Sequence, residues 1–183
     1  MKLPWPGFNE KQTVIIPLRK SSFDVSDHPV IFQGTQFLPK DEFHITLVGK
    51  CLGKLLKDQI DQKPQIEAQL KQVFQNIDWS FRRTGPIHIL SRTREKTGND
   101  GIAVPVIQKS IIQQLTMPGM PIFYDYLRAQ GFLEPDWPAP PPHVTLYTRN
   151  CPHGIGVSSL HRLDKLSEGF LSINELRKLS KNR

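Results

Sequence analysis

"FHITL", residues 43–47, reads as an extended stretch with two unlike faces. Alternation turns Phe43, Ile45 and Leu47 one way and His44 and Thr46 the other. An imidazole and a hydroxyl side by side on so apolar a strand call for a reason. A second stretch, "PHVTLY" (142–147), repeats the arrangement, with His143, Thr145 and Tyr147 on one face and Val144 and Leu146 on the other. At average composition one such His–apolar–Thr–apolar tetrad arises by chance in roughly one chain in ten of this length, and two in about one in a hundred. One tetrad is weak; the pair is informative.

Around these two strands the chain falls into two similar halves. "TVIIPL" (13–18) reads as a buried strand, and Val30–Phe32 as a short extended piece in a loop-rich stretch. "FHITLVGK" leads out through Gly49 and Gly53 to a helical pattern over 54–77, on which Leu56, Ile60, Ile66, Leu70, Val73 and Phe74 share a face and Pro64 forces a break. "WSFRRTGPIHILSR" and "GIAVPVI" suggest two strands joined by a polar loop, "TREKTGND". Residues 108–131 read as a second helical region, interrupted at "MPGMP" and closed by Gly131. "WPAPPPH" (137–143) is a stiff lead-in to "PHVTLYTR". "IGVSSLHRLD" suggests an edge strand, and a basic helix begins near Ile173.

Composition sets outer bounds. The 183 residues suffice for one domain with a core that needs no staple, and 38% hydrophobic with 22% charged residues is ordinary for a globular chain. Lys and Arg outnumber Asp and Glu by 24 to 17, a net charge of +7 that favours phosphate-bearing partners in general. Cys51 and Cys151 are too few for a zinc ribbon or a disulfide framework and are expected as reduced thiols. No apolar h-region opens the chain and no run is long enough to span a membrane, so a cytoplasmic protein without a membrane partner is expected. No Walker loop, dinucleotide fingerprint, G-x-S-x-G elbow or His-Glu-x-x-His helix is present.

Two imidazoles facing one another can divide the proton work of a hydrolysis, one taking a proton from water and the other giving one to the leaving oxygen. Two Thr hydroxyls, each one pleat from its His, can donate to the non-bridging oxygens of a phosphate held between them. His44 and His143 are the candidate acid and base, with the roles open, and Thr46 and Thr145 the candidate phosphate binders. Neither tetrad offers a metal-ligand set, and no cofactor is called for. Each His–Thr pair also has a structural reading, the His bonded to a neighbouring strand and the Thr a good strand former. His88, in "PIHIL", reads as a satisfied strand histidine, and His153 and His161 have no partners at metal-ligand spacing. Arg92, Arg94 and Lys96 form either a solvated loop or a basic lip.

"FLPKDEFHITLVGKCLG" and "PPHVTLY" resemble the two motifs of the two-histidine (2H) phosphoesterase superfamily, which includes the LigT-like RNA 2′,3′-cyclic phosphodiesterases. The resemblance implies an α+β, bilobal fold over residues 1–183, two pseudo-symmetric β-α-β lobes whose antiparallel sheets face a central groove. It implies a metal-independent phosphodiesterase acting on a 2′,3′-cyclic phosphate or a related nucleotide or RNA-end phosphodiester. A monomer is expected. The family's second motif usually carries an Arg two residues beyond the tetrad's Leu; here that position is Thr148, and Arg149 follows. Alternation would put Arg149 and Tyr147 beside His143 as substrate-binding residues. The rival reading is a non-catalytic RNA- or nucleotide-binding module that uses the same basic groove.

Overall fold

The computed structural model describes residues 1–97 and 101–181. The fold is mixed α+β with antiparallel sheets, the larger of them curled. β1 (Val14–Leu18) pairs with the strand of the first tetrad, β4 (Phe43–Val48). The six-stranded sheet runs β2 (Val30–Phe32), β3 (Thr35–Pro39), β7 (His143–Arg149), β6 (Ala103–Gln114), β5 (Ile87–Thr97), β8 (Ser167–Leu171). β3 runs antiparallel to β7, and the backbone N–H of Lys40 donates to the Leu146 carbonyl as the chain turns toward β4. β4 then lies against β7, so the two tetrad strands are neighbours.

The apolar faces close one main core. Phe43, Ile45 and Leu47 of β4 meet Val144, Leu146 and Tyr147 of β7 and Ile111 of β6. Helices cover them: α1 (Lys50–Gln62) and α2 (Gln65–Asn76) through Leu56, Ile60, Leu70 and Phe74, and α3 (Gly119–Ala129) through Met120, Phe123 and Tyr124. The Tyr124 hydroxyl donates to the Leu47 carbonyl at 2.9 Å, tying α3 to the tetrad strand. A smaller core on the opposite face of the large sheet joins Leu90 and Ile112 to Cys151, Ile155, Val157 and Leu163, the last from α4 (Leu160–Leu166). α5 (Ile173–Lys181) packs on β2.

Several expectations change. The first helix starts at Lys50 and includes Gly53, whose Cβ would stand 1.6 Å from the Gln12 carbonyl oxygen; Gly53 is there for close approach, not as a strand exit. Pro64 does separate the two helices. Residues 108–114 are strand rather than helix, because adjacent Ile111 and Ile112 feed different cores on the two faces of the sheet. "WSFRRT" contributes only an isolated bridge between Arg82 and Thr116. "IGVSSLHRLD" is coil running into α4, whose start Ser159 caps by accepting from the Arg162 N–H, and the edge strand is β8 instead. The segment read as a polar loop at 93–100 is strand through Thr97; residues 98–100 lie outside those described. Gly131 does close its helix, at φ +69°, with its N–H on the Arg128 carbonyl. No described helix is long and apolar enough to cross a membrane.

Candidate active site

The first tetrad behaves as alternation requires. Ile45 and Leu47 are fully buried while His44 and Thr46 are half-buried on the other face. The second tetrad begins the same way, with Val144 in the core and His143 and Thr145 half-buried. Beyond Thr145 the pattern breaks. Ile112 stands opposite Thr145 and Ile111 opposite Tyr147, so β7 carries an extra residue, Leu146, at a bulge. Ile111 and Ile112 face opposite sides, and their partners must do likewise.

The bulge corrects the placement of two expected substrate contacts. Tyr147 is fully buried in the main core, and its hydroxyl accepts from the Ser26 N–H at 2.8 Å and lies 3.1 Å from the Ser180 Oγ. Arg149 is exposed and stands opposite Lys109, on the face of Tyr147 and away from His143. Neither residue joins the His–Thr face.

The four remaining residues present free polar atoms. The His143 Nδ1 lies 2.8 Å from the Pro141 carbonyl, which only accepts, so Nδ1 carries the proton and Nε2 is the atom left to exchange one. The stiff proline run thereby fixes the ring's tautomer. In His44 the Nδ1 atom is buried without a partner, which again leaves Nε2 as the reactive nitrogen. Among the described residues neither Nε2 nor either Thr hydroxyl has a protein partner, and none of the four is a buried orphan, so all four reach solvent.

Electrostatics ties the histidines together. Burial first, and then the opposing charges of His44 and His88, hold the His143 imidazole below the ordinary histidine range, against the raising effect of the Pro141 hydrogen bond. Burial, followed by Lys40, also lowers His44, and Glu42 offsets this in part. A charge on His44 therefore opposes protonation of His143.

His88 is only 4% exposed and stands opposite Ile112, on the His143 side of the sheet. Its Nδ1 lies 3.2 Å from the Ser167 Oγ and its Nε2 3.3 Å from the Gln114 Oε1, while Phe170 packs on the ring at a centroid distance of 4.9 Å. It is the bonded strand histidine expected, yet it borders the site. Gln114 stands opposite His143 in register, and its amide nitrogen has no partner among the described residues. Nothing in the local sequence singles out Gln114; only strand pairing brings it to the site.

Gly154 forms the wall over Thr145. At φ +79° it is in the left-handed region, and a Cβ there would stand 2.9 Å from the Thr145 Oγ1. The turn can come this close because the residue is glycine. Among the described residues no group of three His, Cys, Asp or Glu side chains is placed to hold a metal ion. No family model matches the chain, and neither a curated protein nor a solved structure is significantly similar to it.

Proposed function

We propose that the chain is a metal-independent phosphodiesterase of the two-histidine type, acting on a 2′,3′-cyclic phosphate or a related nucleotide or RNA-end phosphodiester. The observation that carries the reading is the pair of solvent-facing Nε2 atoms on neighbouring strands, each with an unpartnered Thr hydroxyl two residues further along. In the proposed reaction, one neutral imidazole removes a proton from water as the water oxygen attacks phosphorus. The phosphorus–oxygen bond to the ribose breaks, and the other imidazole, protonated beforehand, gives its proton to the departing oxygen. A return of one proton between solvent and each ring restores the starting state. Thr46 and Thr145 donate to the non-bridging oxygens, whose charge grows during attack. The bilobal 2H fold is part of this proposal: β4 and β7 would be the matched central strands of its two halves.

The experiment is incubation with 2′,3′-cyclic nucleotides and cyclic-phosphate-ended oligoribonucleotides in excess EDTA, with linear monophosphate as the product. Turnover in chelator is expected. Activity that needs a divalent ion would overturn the mechanism, and tight binding without turnover would leave the nucleotide-binding module in its place.

A further inference from the structure

The hairpin of β5 and β6 extends well past the sheet that anchors it. The two strands pair without a break from Ile87–Gln113 to Thr97–Ala103. Their outer neighbours stop early: β8 pairs only to Leu90, and β7 only to Lys109. From Thr93 and Ile107 outward no described strand flanks the ribbon, and most of its described residues are exposed.

Regular alternation gives this ribbon two unequal faces. One carries Thr93, Glu95 and Thr97 opposite Ile107, Pro105 and Ala103. The other carries Arg92, Arg94 and Lys96 opposite Gln108, Val106 and Val104, and it continues the side of the sheet that holds His88, His143 and Thr145. Arg92 is kept in line by its Nε, which donates to the Gln108 Oε1 at 2.8 Å. Arg162 of α4 is exposed beside this row: its neighbour Leu163 packs over Leu90 and Ile112 on the same face, and its Nε donates to the Gly156 carbonyl at 3.3 Å. Burial, and then the like charges of Arg94 and Arg162, hold the Arg92 guanidinium below its usual range. None of these four cations forms an ion pair among the described residues, whose bridges involve other groups. A row of like charges with no ion-paired acid among the described residues is a surface complementary to a linear polyanion.

We propose that this face is a track for single-stranded RNA, leading a polynucleotide end into the two-histidine site. The inference rests on the phosphodiesterase reading and adds the substrate class, an RNA terminus rather than a mononucleotide. Alternate strand residues are about 6.8 Å apart, the rise of about two stacked nucleotides at 3.4 Å each. Along β6, Gln108 is six residues from Gln114, the partner of His143, and Val104 is ten. Arg92 therefore lies about 20 Å and Lys96 about 34 Å along the strand from the level of His143, or about six and ten stacked nucleotides. The segment from Cys151 to Leu163 covers Leu90 and Ile112 in between, and the strand would pass over it beside Arg162. Val104 and Val106 offer an apolar floor between the charges.

The test uses the full chain and two readouts. In the first, a single-stranded RNA of about ten nucleotides ending in a 3′-phosphate is titrated by fluorescence anisotropy against salt. The double variants Arg94→Ala/Lys96→Ala and Arg94→Gln/Lys96→Gln should each bind at least about tenfold more weakly than the parent. Their slope of log affinity on log salt should be shallower by about 1.4, from two contacts at about 0.7 each. In the second, kcat/KM is compared for cyclic-phosphate-ended oligomers of about three and about ten nucleotides. The parent should favour the longer one about tenfold or more, through KM, and the double variants should bring the ratio toward one. Unchanged affinity and slope in both variants would overturn the track, as would phosphatidylserine vesicles that bind the same residues and displace the RNA. Variant-sensitive RNA binding with no turnover of either oligomer would uphold the track and remove the phosphodiesterase. Turnover indifferent to chain length and to both variants would do the reverse.

Discussion

Thr145 and Tyr147, two residues apart on one strand, face opposite sides of the sheet, because the bulge at Leu146 reverses the alternation between them. The hydroxyl of Thr145 reaches solvent beside His143, whereas that of Tyr147 ends among Ser26 and Ser180. The same reversal carries Arg149 away from the site. A candidate site of six residues thus becomes one of four, with His88, Gln114 and Gly154 around it.

Tyr147→Phe separates structure from chemistry. It removes the acceptor of the Ser26 N–H and should cost about 1–2 kcal/mol of stability in urea denaturation. The kcat on a cyclic phosphate should stay within about twofold of the parent. A large fall in kcat in a stably folded variant would return Tyr147 to the substrate.

His44→Ala and His143→Ala should each lower kcat by roughly 10²–10⁴, and the double variant should lose far less than the product of the two. A phosphodiester whose leaving group departs as a stable anion, such as an aryl ester, needs no protonation. It should rescue one of the two single variants and not the other, and the rescued one identifies the acid. Rescue of neither would argue against a divided proton relay.

Thr46→Val and Thr145→Val keep the shape of the strand and delete only the hydroxyl. Each should reduce kcat/KM by an amount on the order of 1–3 kcal/mol if it donates to the phosphate. Steady-state kinetics of folded variants checks this. Parent-like values in both would take the Thr pair out of the mechanism.

Gly154→Ala tests the wall above Thr145. Alanine in the left-handed region costs about 1–2 kcal/mol, and its Cβ must displace the Thr145 side chain. Gly131→Ala is the control, because its φ of +69° carries the same backbone cost while no atom lies within 4 Å of the added Cβ. Gly154→Ala should lose more stability than Gly131→Ala by the cost of moving Thr145, and only Gly154→Ala should lose about tenfold or more in kcat.

Acid should weaken folding, while catalysis should peak on the acid side of neutrality. His44 and His143 are lowered in the folded chain, chiefly by burial, relative to about 6.5 when unfolded. Below that value the unfolded state binds more protons. Their contribution to stability is therefore complete above about pH 6.5 and is lost as pH falls through the folded values. In kcat/KM one ring must be neutral and the other protonated, so the maximum lies between the two apparent values of the free enzyme, and thus below pH 6.5. A pH–rate profile peaking above neutrality would contradict the pairing.

The alternation of apolar and polar residues in "FHITL" and "PHVT" was enough to place His44, Thr46, His143 and Thr145 on the uncovered sides of their strands, since a strand's facing depends only on parity. Pro64 and Gly131 marked helix limits for equally local reasons, a missing N–H and a left-handed φ. Parity fails where a strand gains a residue, and the bulge at Leu146 is visible only against its partners Ile111 and Ile112. Those two isoleucines explain the misread helix at 108–114 as well, because an adjacent apolar pair fits a helix face until two cores, one on each side, are present to receive them. Arg92, Arg94 and Lys96 were visible as charge, but their alignment comes from pairing with β6, and the roles of Gln114 and Gly154 from contacts distant in the chain. Local stereochemistry was sufficient for the facing of the two His–Thr pairs; strand pairing, which is non-local, decided which residues stand around them.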